Sequence, residues 1–278
     1  MTHTTGSAPA PTQLERDEHE AFPAAIAPPP RDAMSPRDEN ADGASTVRAA
    51  ANAVAVDLQD RDTRCVAVAR VRLRFAKQGD LRLIGHHDLL RLVERLTRRA
   101  GVRVALSQGF NPRPKITFAA ALGLGIEGRR EVLDIDLAEA VDPEVLRARL
   151  QLFSPAGLEW IEARSAPLGS AARCVASVFE VEVPAAAHAS LQAGIGAFLG
   201  SKRVLRERRR DDRVITIDLR SLVASVALDE QGRLRFRLTH DGGAAARPEE
   251  LLDTLGLGDL TASGVHLARV DLEIAQTS

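Results

Sequence analysis

The 278-residue chain contains no tyrosine, one tryptophan and eight phenylalanines, so aromatics make up only 3% of it. Its core must therefore be built from Leu, Val, Ala and Ile, and the few aromatics, Phe75 and Phe110 among them, are expected inside that core rather than as stacking platforms for bases. Cysteine is equally scarce, with only Cys65 and Cys174, and the two are far apart in sequence. Without CxxC spacing there is no support for a zinc ribbon or an iron–sulfur cluster, and two isolated thiols fit a reducing cytoplasm. No apolar run approaches the ~20 residues of a membrane span. The N-terminus lacks a basic segment followed by an apolar one, which argues against a secretory signal. Methionine occurs only at Met1 and Met34, which leaves two candidate starts.

The length suits two ordinary domains, and 45% hydrophobic with 27% charged residues is a globular composition. The formal net charge of −1 is unevenly spread: residues 1–64 carry six Arg against eleven acids, which leaves the rest mildly basic. Half of the fourteen prolines lie at or before Pro36. Residues 1–64 are thus expected to be a disordered, acidic, Pro/Ala-rich tail.

The stretch Leu81–Phe118 organises the rest of the chain. Leu89, Val93, Leu96 and Ala100 recur at helical spacing, and Arg91, Arg95 and Arg98 fall on the opposite face. Gly85 suits the N-cap, Asp88 the capping-box position and Gly101 the stop. A short strand over 103–106 comes next. Gly109-Phe110-Asn111-Pro112-Arg113-Pro114-Lys115 cannot be helical, because each proline lacks a donor and biases the residue before it to extended geometry. From His86 to Lys115 there are seven Arg/Lys against two acids.

Elsewhere, alternation predicts strands over Val66–Lys77, Glu131–Leu137, Gly157–Ala163, Val175–Val183, Lys202–Arg208, Arg213–Leu219, Val223–Leu228, Leu234–Thr239 and Val265–Ile274, with a further strand from Ile116 to Ala121. Helices are expected from Pro143 to Phe153, from Pro184 to Leu199 and from Pro248 to Leu255. The fold class is α+β: two tandem ferredoxin-like β-α-β-β-α-β subdomains, over 65–168 and 169–278, the second with an additional hairpin.

The candidate chemistry is anion binding. Arg91, Arg95, Arg98, Asn111, Arg113 and Lys115 form one basic surface, suited to phosphate contact. Lys202, Arg203 and Arg206 begin a second basic run, seven Arg/Lys against three acids between Lys202 and Arg213. A solvated helix face, and charge guarding a hairpin edge, are the plain alternatives. His86 and His87 are the only acid/base candidates, without a paired nucleophile or carboxylate. His188, His240 and His266 are dispersed, so no metal site is expected, and no cofactor. Gly123, Gly125 and Gly128 precede a strand, not a helix, and read as a loop rather than a dinucleotide site.

The segments LRLIGHHDLLRLVERLTRRAG and SQGFNPRPKITFAAALGLGIEG, with Asp134-Ile135-Asp136-Leu137 and Thr216-Ile217-Asp218-Leu219-Arg220, resemble a bacterial radical-SAM-linked family of unknown function over roughly Val66–Leu272. Where that family usually has Ser and Leu, this chain has Gly85 and His87. It also lacks a CxxxCxxC triad, so the resemblance implies a stand-alone form without the radical SAM barrel, partnered in trans by a radical SAM protein. The expected function is a cytoplasmic accessory module, not itself an enzyme and not membrane-bound, that binds RNA or an RNA-associated substrate through its basic surface. A metal-independent ribonuclease using His86 or His87, and a scaffold for an acidic protein partner, are the alternatives.

Overall fold

Period-two alternation builds the first strand, β1 (Ala69–Lys77), with Val71, Leu73 and Phe75 buried on one face. A 3₁₀ turn, Gly79–Leu83, leads to α1 (His86–Arg99), which opens at Gly85 and stops before Gly101 at φ 65°. Leu89, Val93 and Leu96 face inward as their spacing predicts. Asp88 does not cap the helix; its carboxylate accepts from Arg91 instead. Then come β2 (Ile116–Phe118), β3 (Glu127–Leu137), α2 (Pro143–Phe153) and β4 (Leu158–Ala166). Asp142 caps α2, accepting from the Glu144 and Val145 amides.

The second half contains β5 (Cys174–Glu182), α3 (His188–Gly200), β6 (Leu205–Arg210), β7 (Arg213–Asp218), α4 (Leu219–Leu222), β8 (Val223–Leu228), β9 (Arg233–Thr239), α5 (Pro248–Thr254) and β10 (Ala268–Ile274). This computed structural model describes residues 66–210, 213–240, 245–260 and 264–275. The tail expected over 1–64, and Cys65, lie outside the described residues.

The first half has strand order β4-β1-β3-β2, antiparallel throughout. The second has β10-β5-β9-β8, again antiparallel. Counted within each half, both orders read four-one-three-two. The hairpin that stands outside this repeat is β6–β7, which forms a two-stranded sheet of its own.

The sequence predicts two tandem subdomains; the strands of the two halves form one mixed eight-stranded sheet. The junction is short: β10 runs parallel to β3 through Ala268↔Glu127 and Arg269↔Gly128 only, and β2 occupies the same edge of β3 further along. Leu122 and Ile126, from the loop between β2 and β3, are buried in the second half's core.

Each half keeps its own apolar core under its helices. Leu73, Phe75, Leu133, Ile135 and Trp160 meet Leu89, Val93, Leu96, Leu146 and Leu150 in one. Phe179, Val181, Leu234, Phe236 and Leu238 meet Leu191, Ile195, Phe198, Leu251 and Leu252 in the other.

Alternation predicts β1 to be half-buried, with Arg70, Arg72 and Arg74 opposite its apolar face. The structure corrects the half-burial. Arg70 and Arg72 stand directly across from Asp136 and Asp134 of β3 and bind them bidentately. The segment between β4 and β5 covers the second pair: Arg72 donates to the Ser170 carbonyl and the Ala172 amide donates to Asp134. Arg72 is consequently 5% exposed and Asp134 2%.

Candidate functional site

The Pro-Arg-Pro loop leaves the sheet through a gap in one strand. The Ala105 amide donates to the Asp136 carbonyl, and the Asp136 amide donates to the Lys115 carbonyl. Residues 105 and 115 thus share one partner on β3, and 106–114 is an excursion between them. The strand expected over 103–106 is reduced to isolated bridges at Val104 and Leu106, because the chain turns outward there. Ser107 closes the excursion: its amide donates to the Arg113 carbonyl and its hydroxyl accepts from the Arg113 amide. Gly109 sits at φ 134°, open only to glycine.

At the tip, Phe110 is fully exposed. The scarcity of aromatics predicts it in the core, where Phe75 does lie; the prolines and the Ser107 clasp instead hold its loop clear of any apolar surface. Asn111 and Arg113 are exposed beside it, and Lys115 is half-buried at the root. On α1, Arg91, Arg95 and Arg98 are all exposed, with Arg91 on Asp88 at 3.2 Å and Arg98 bonded to the Glu94 carbonyl.

The second basic run belongs to the other half and is largely committed there. Lys202 is exposed, Arg203 lies 3.4 Å from Asp218, and Arg206 donates twice to the Thr254 hydroxyl on α5. Arg208 binds Glu250 and the Ala245 carbonyl.

His86 and His87 start α1 with ring centroids 5.7 Å apart, and His86 packs edge-on against Phe118 at 5.1 Å. Burial, then the neighbouring His87 and Lys77, holds the His86 imidazole below its ordinary value. His188 bonds to the Val183 carbonyl. Among the described residues no cluster of three or more His, Cys, Asp or Glu is placed to hold a metal ion, and no helix is long and apolar enough to cross a membrane.

A buried polar group, not among the candidates the sequence offers, lies where strands of the two halves meet. Lys77, Glu131 and Arg269 are 1%, 2% and 4% exposed. Arg269 binds Glu131 through Nε at 2.7 Å and through Nη2, and also donates to the Ala121 carbonyl at 3.0 Å. Lys77 donates to the Ile84 carbonyl at 2.9 Å, and burial holds its ammonium below the ordinary lysine value. Close by, His240 Nε2 shares a hydrogen bond of 2.8 Å with the Ser177 hydroxyl. Burial, then Arg269, keeps this imidazole low as well.

A signal for this group is present in the sequence. Lys77, Glu131, Ser177 and His240 each sit at the apolar parity of their strand, in line with Phe75, Leu133, Phe179 and Leu238. Gly128 belongs to it too: a Cβ there would lie 2.5 Å from Glu131 Cγ, so glycine makes room for the buried carboxylate.

No curated protein matches the chain. Two solved structures show a faint likeness. An unknown protein from Galdieria sulphuraria is 13% identical, over 75% of this chain and 99% of that one, with a TM-score of 0.24. A protein proposed to be a glycine cleavage system transcriptional repressor is 11% identical, over 75% of this chain and 98% of its own, with a TM-score of 0.21. Scores this low bear on neither fold nor function. Residues 70–248, by contrast, match a family model across both halves of the fold, and the chain belongs to that family of uncharacterized proteins conserved in bacteria (DUF2344).

Proposed function

We propose that this protein is a cytoplasmic accessory module that binds single-stranded RNA, or a substrate attached to it, and does no chemistry alone. One observation carries the reading: a loop anchored at both ends to β3 holds Phe110 fully exposed, with Asn111 and Arg113 beside it. A base stacks on such a ring whatever its identity, and neighbouring cations neutralise the phosphates that flank it. Arg91, Arg95 and Arg98 of α1, in the same half, add charge that no core contact consumes. Lys202 and Arg203 are further exposed cations, in the second half. The resemblance to radical-SAM-linked chains supplies the partner, a radical SAM protein acting in trans. The four-one-three-two order of each half supports reading both as ferredoxin-like units that have fused their sheets.

The test is RNA affinity across a salt series with an unstructured oligonucleotide. Log Kd should rise with log salt. Arg95→Ala and Arg113→Ala should each lower the slope by ~0.7, the value for one lost phosphate contact on a single strand. Absence of salt-dependent binding at low ionic strength ends the RNA reading and leaves an acidic protein partner. Cleavage of the bound RNA that is lost in His86→Ala/His87→Ala would make the protein a ribonuclease instead.

A further inference from the structure

The geometry points to a second site, independent of the basic helix and loop: a cleft of about 670 Å³ at the junction of the two halves, which takes a small organic anion with an apolar body. The volume lies in the range of small-molecule pockets. Its walls mix the two chemistries such a ligand needs. Leu122, Ile126 and Phe179 are apolar, whereas Arg208, Arg269 and His240 supply polar groups.

The charge balance sets the sign of the ligand. Arg208, Arg247 and Arg269 line the cleft against one lining carboxylate, Glu249. Behind the wall, Glu131 and Glu250 offset two of the guanidiniums, and Lys77 adds a cation 1% exposed beside Glu131 and Arg269. Among the buried groups, Lys77 and Arg269 are two cations beside the single carboxylate of Glu131. A buried cation in excess is costly unless an anion approaches it.

Donors are available for that anion. Arg208 commits Nε and Nη2 to Glu250 and to the Ala245 carbonyl. Its Nη1 has no hydrogen-bond partner among the described residues. The His240–Ser177 pair places a neutral imidazole at the same wall. The arrangement is also pre-formed: Gly128 leaves the space into which Glu131 folds, and Glu131 orients Arg269 by a two-point contact. An apolar body would rest on Phe179 and Leu122 while its carboxylate or phosphate met Arg208 Nη1, with Arg269 held behind by Glu131.

Thermal unfolding of the full chain, at constant ionic strength, tests this with phenyl phosphate, benzoate and the uncharged benzyl alcohol as probes. A ligand that binds only the folded state raises the midpoint in a saturable way. The expected result is a saturable rise with at least one of the two anions below ~10 mM and none with benzyl alcohol. Arg208→Gln, read against its own ligand-free midpoint, should weaken that binding at least tenfold. Arg235→Gln, exposed on β9 and outside the cleft, should leave it within twofold. Three results overturn the proposal: no saturable rise with either anion, an equal rise with benzyl alcohol, or equal losses in the two arginine variants.

Discussion

Two triplets of arginine look alike in the sequence and differ entirely in the fold. Arg70, Arg72 and Arg74 alternate along β1, while Arg91, Arg95 and Arg98 stripe α1. In the first triplet Arg70 and Arg72 have each a carboxylate directly opposite on β3, and Arg72 is sealed beneath the segment that links the halves. The second triplet is exposed, with Asp88 the one carboxylate bound to it among the described residues, at 3.2 Å. Charge count is therefore a poor guide to which cations are free. A strand presents its polar face to a partner strand, and register decides what it meets, whereas a helix on the outside of a two-layer fold presents its polar face to solvent.

Breaking a buried pair from one side should produce the largest effect. Asp134→Ala leaves Arg72 charged and unpaired, and is expected to cost ~3–5 kcal/mol, read by urea denaturation. The double variant Asp134→Leu/Arg72→Met should recover most of that loss. If the single variant proves mild, the strand arginines are no more committed than the helical ones.

Next comes the inner face of α1. Leu96→Ala is expected to cost ~2–5 kcal/mol through lost burial and the cavity left behind. Then comes the loop tip: Phe110→Ala should leave the melting temperature unchanged yet weaken RNA binding by ~1–3 kcal/mol. A fall in stability without loss of affinity would make Phe110 a packing residue after all.

A pH effect is expected from the two low-lying histidines. The folded values of His86 and His240 are depressed, so the unfolded chain binds protons that the native state refuses. Their contribution is fully present above the ordinary value of 6.5 and is lost as pH falls through and below it. His240→Gln should flatten the stability profile between about pH 7 and pH 5 relative to wild type. An unchanged profile would mean that His240 titrates as in water. The smallest effect is expected at Arg95→Ala, within ~0.5 kcal/mol of wild-type stability, while its effect on the salt slope of RNA binding persists.

The elements themselves were legible. The apolar stripe of α1, its glycine boundaries and the Asp-Pro-Glu start of α2 all fall where local rules put them, because caps and periodicity are decided within a few residues. The loop was legible as non-helical, though not the exposure of Phe110. An aromatic side chain is buried or bare according to what the rest of the fold brings to it, and here nothing comes. The polar group Lys77, Glu131, Ser177 and His240 had a signature, a polar residue at the apolar parity of each strand. That signature acquires meaning only once four strands from two halves lie side by side.

The sequence by itself determined the α+β class, the order of strands and helices apart from the strand expected over 103–106 and the short helix α4, and the basic character of α1 and its loop, since each depends on neighbours within a turn or a strand. Only the tertiary structure decided that the two halves share one sheet, that Arg72 and Arg269 are spent on carboxylates while Arg95 is not, and that a cleft opens at the junction. Asp134 is 62 residues from Arg72, and Glu131 is 138 from Arg269. Pairings across such distances come from strand register and from the parallel contact of β3 with β10, and no local rule contains either.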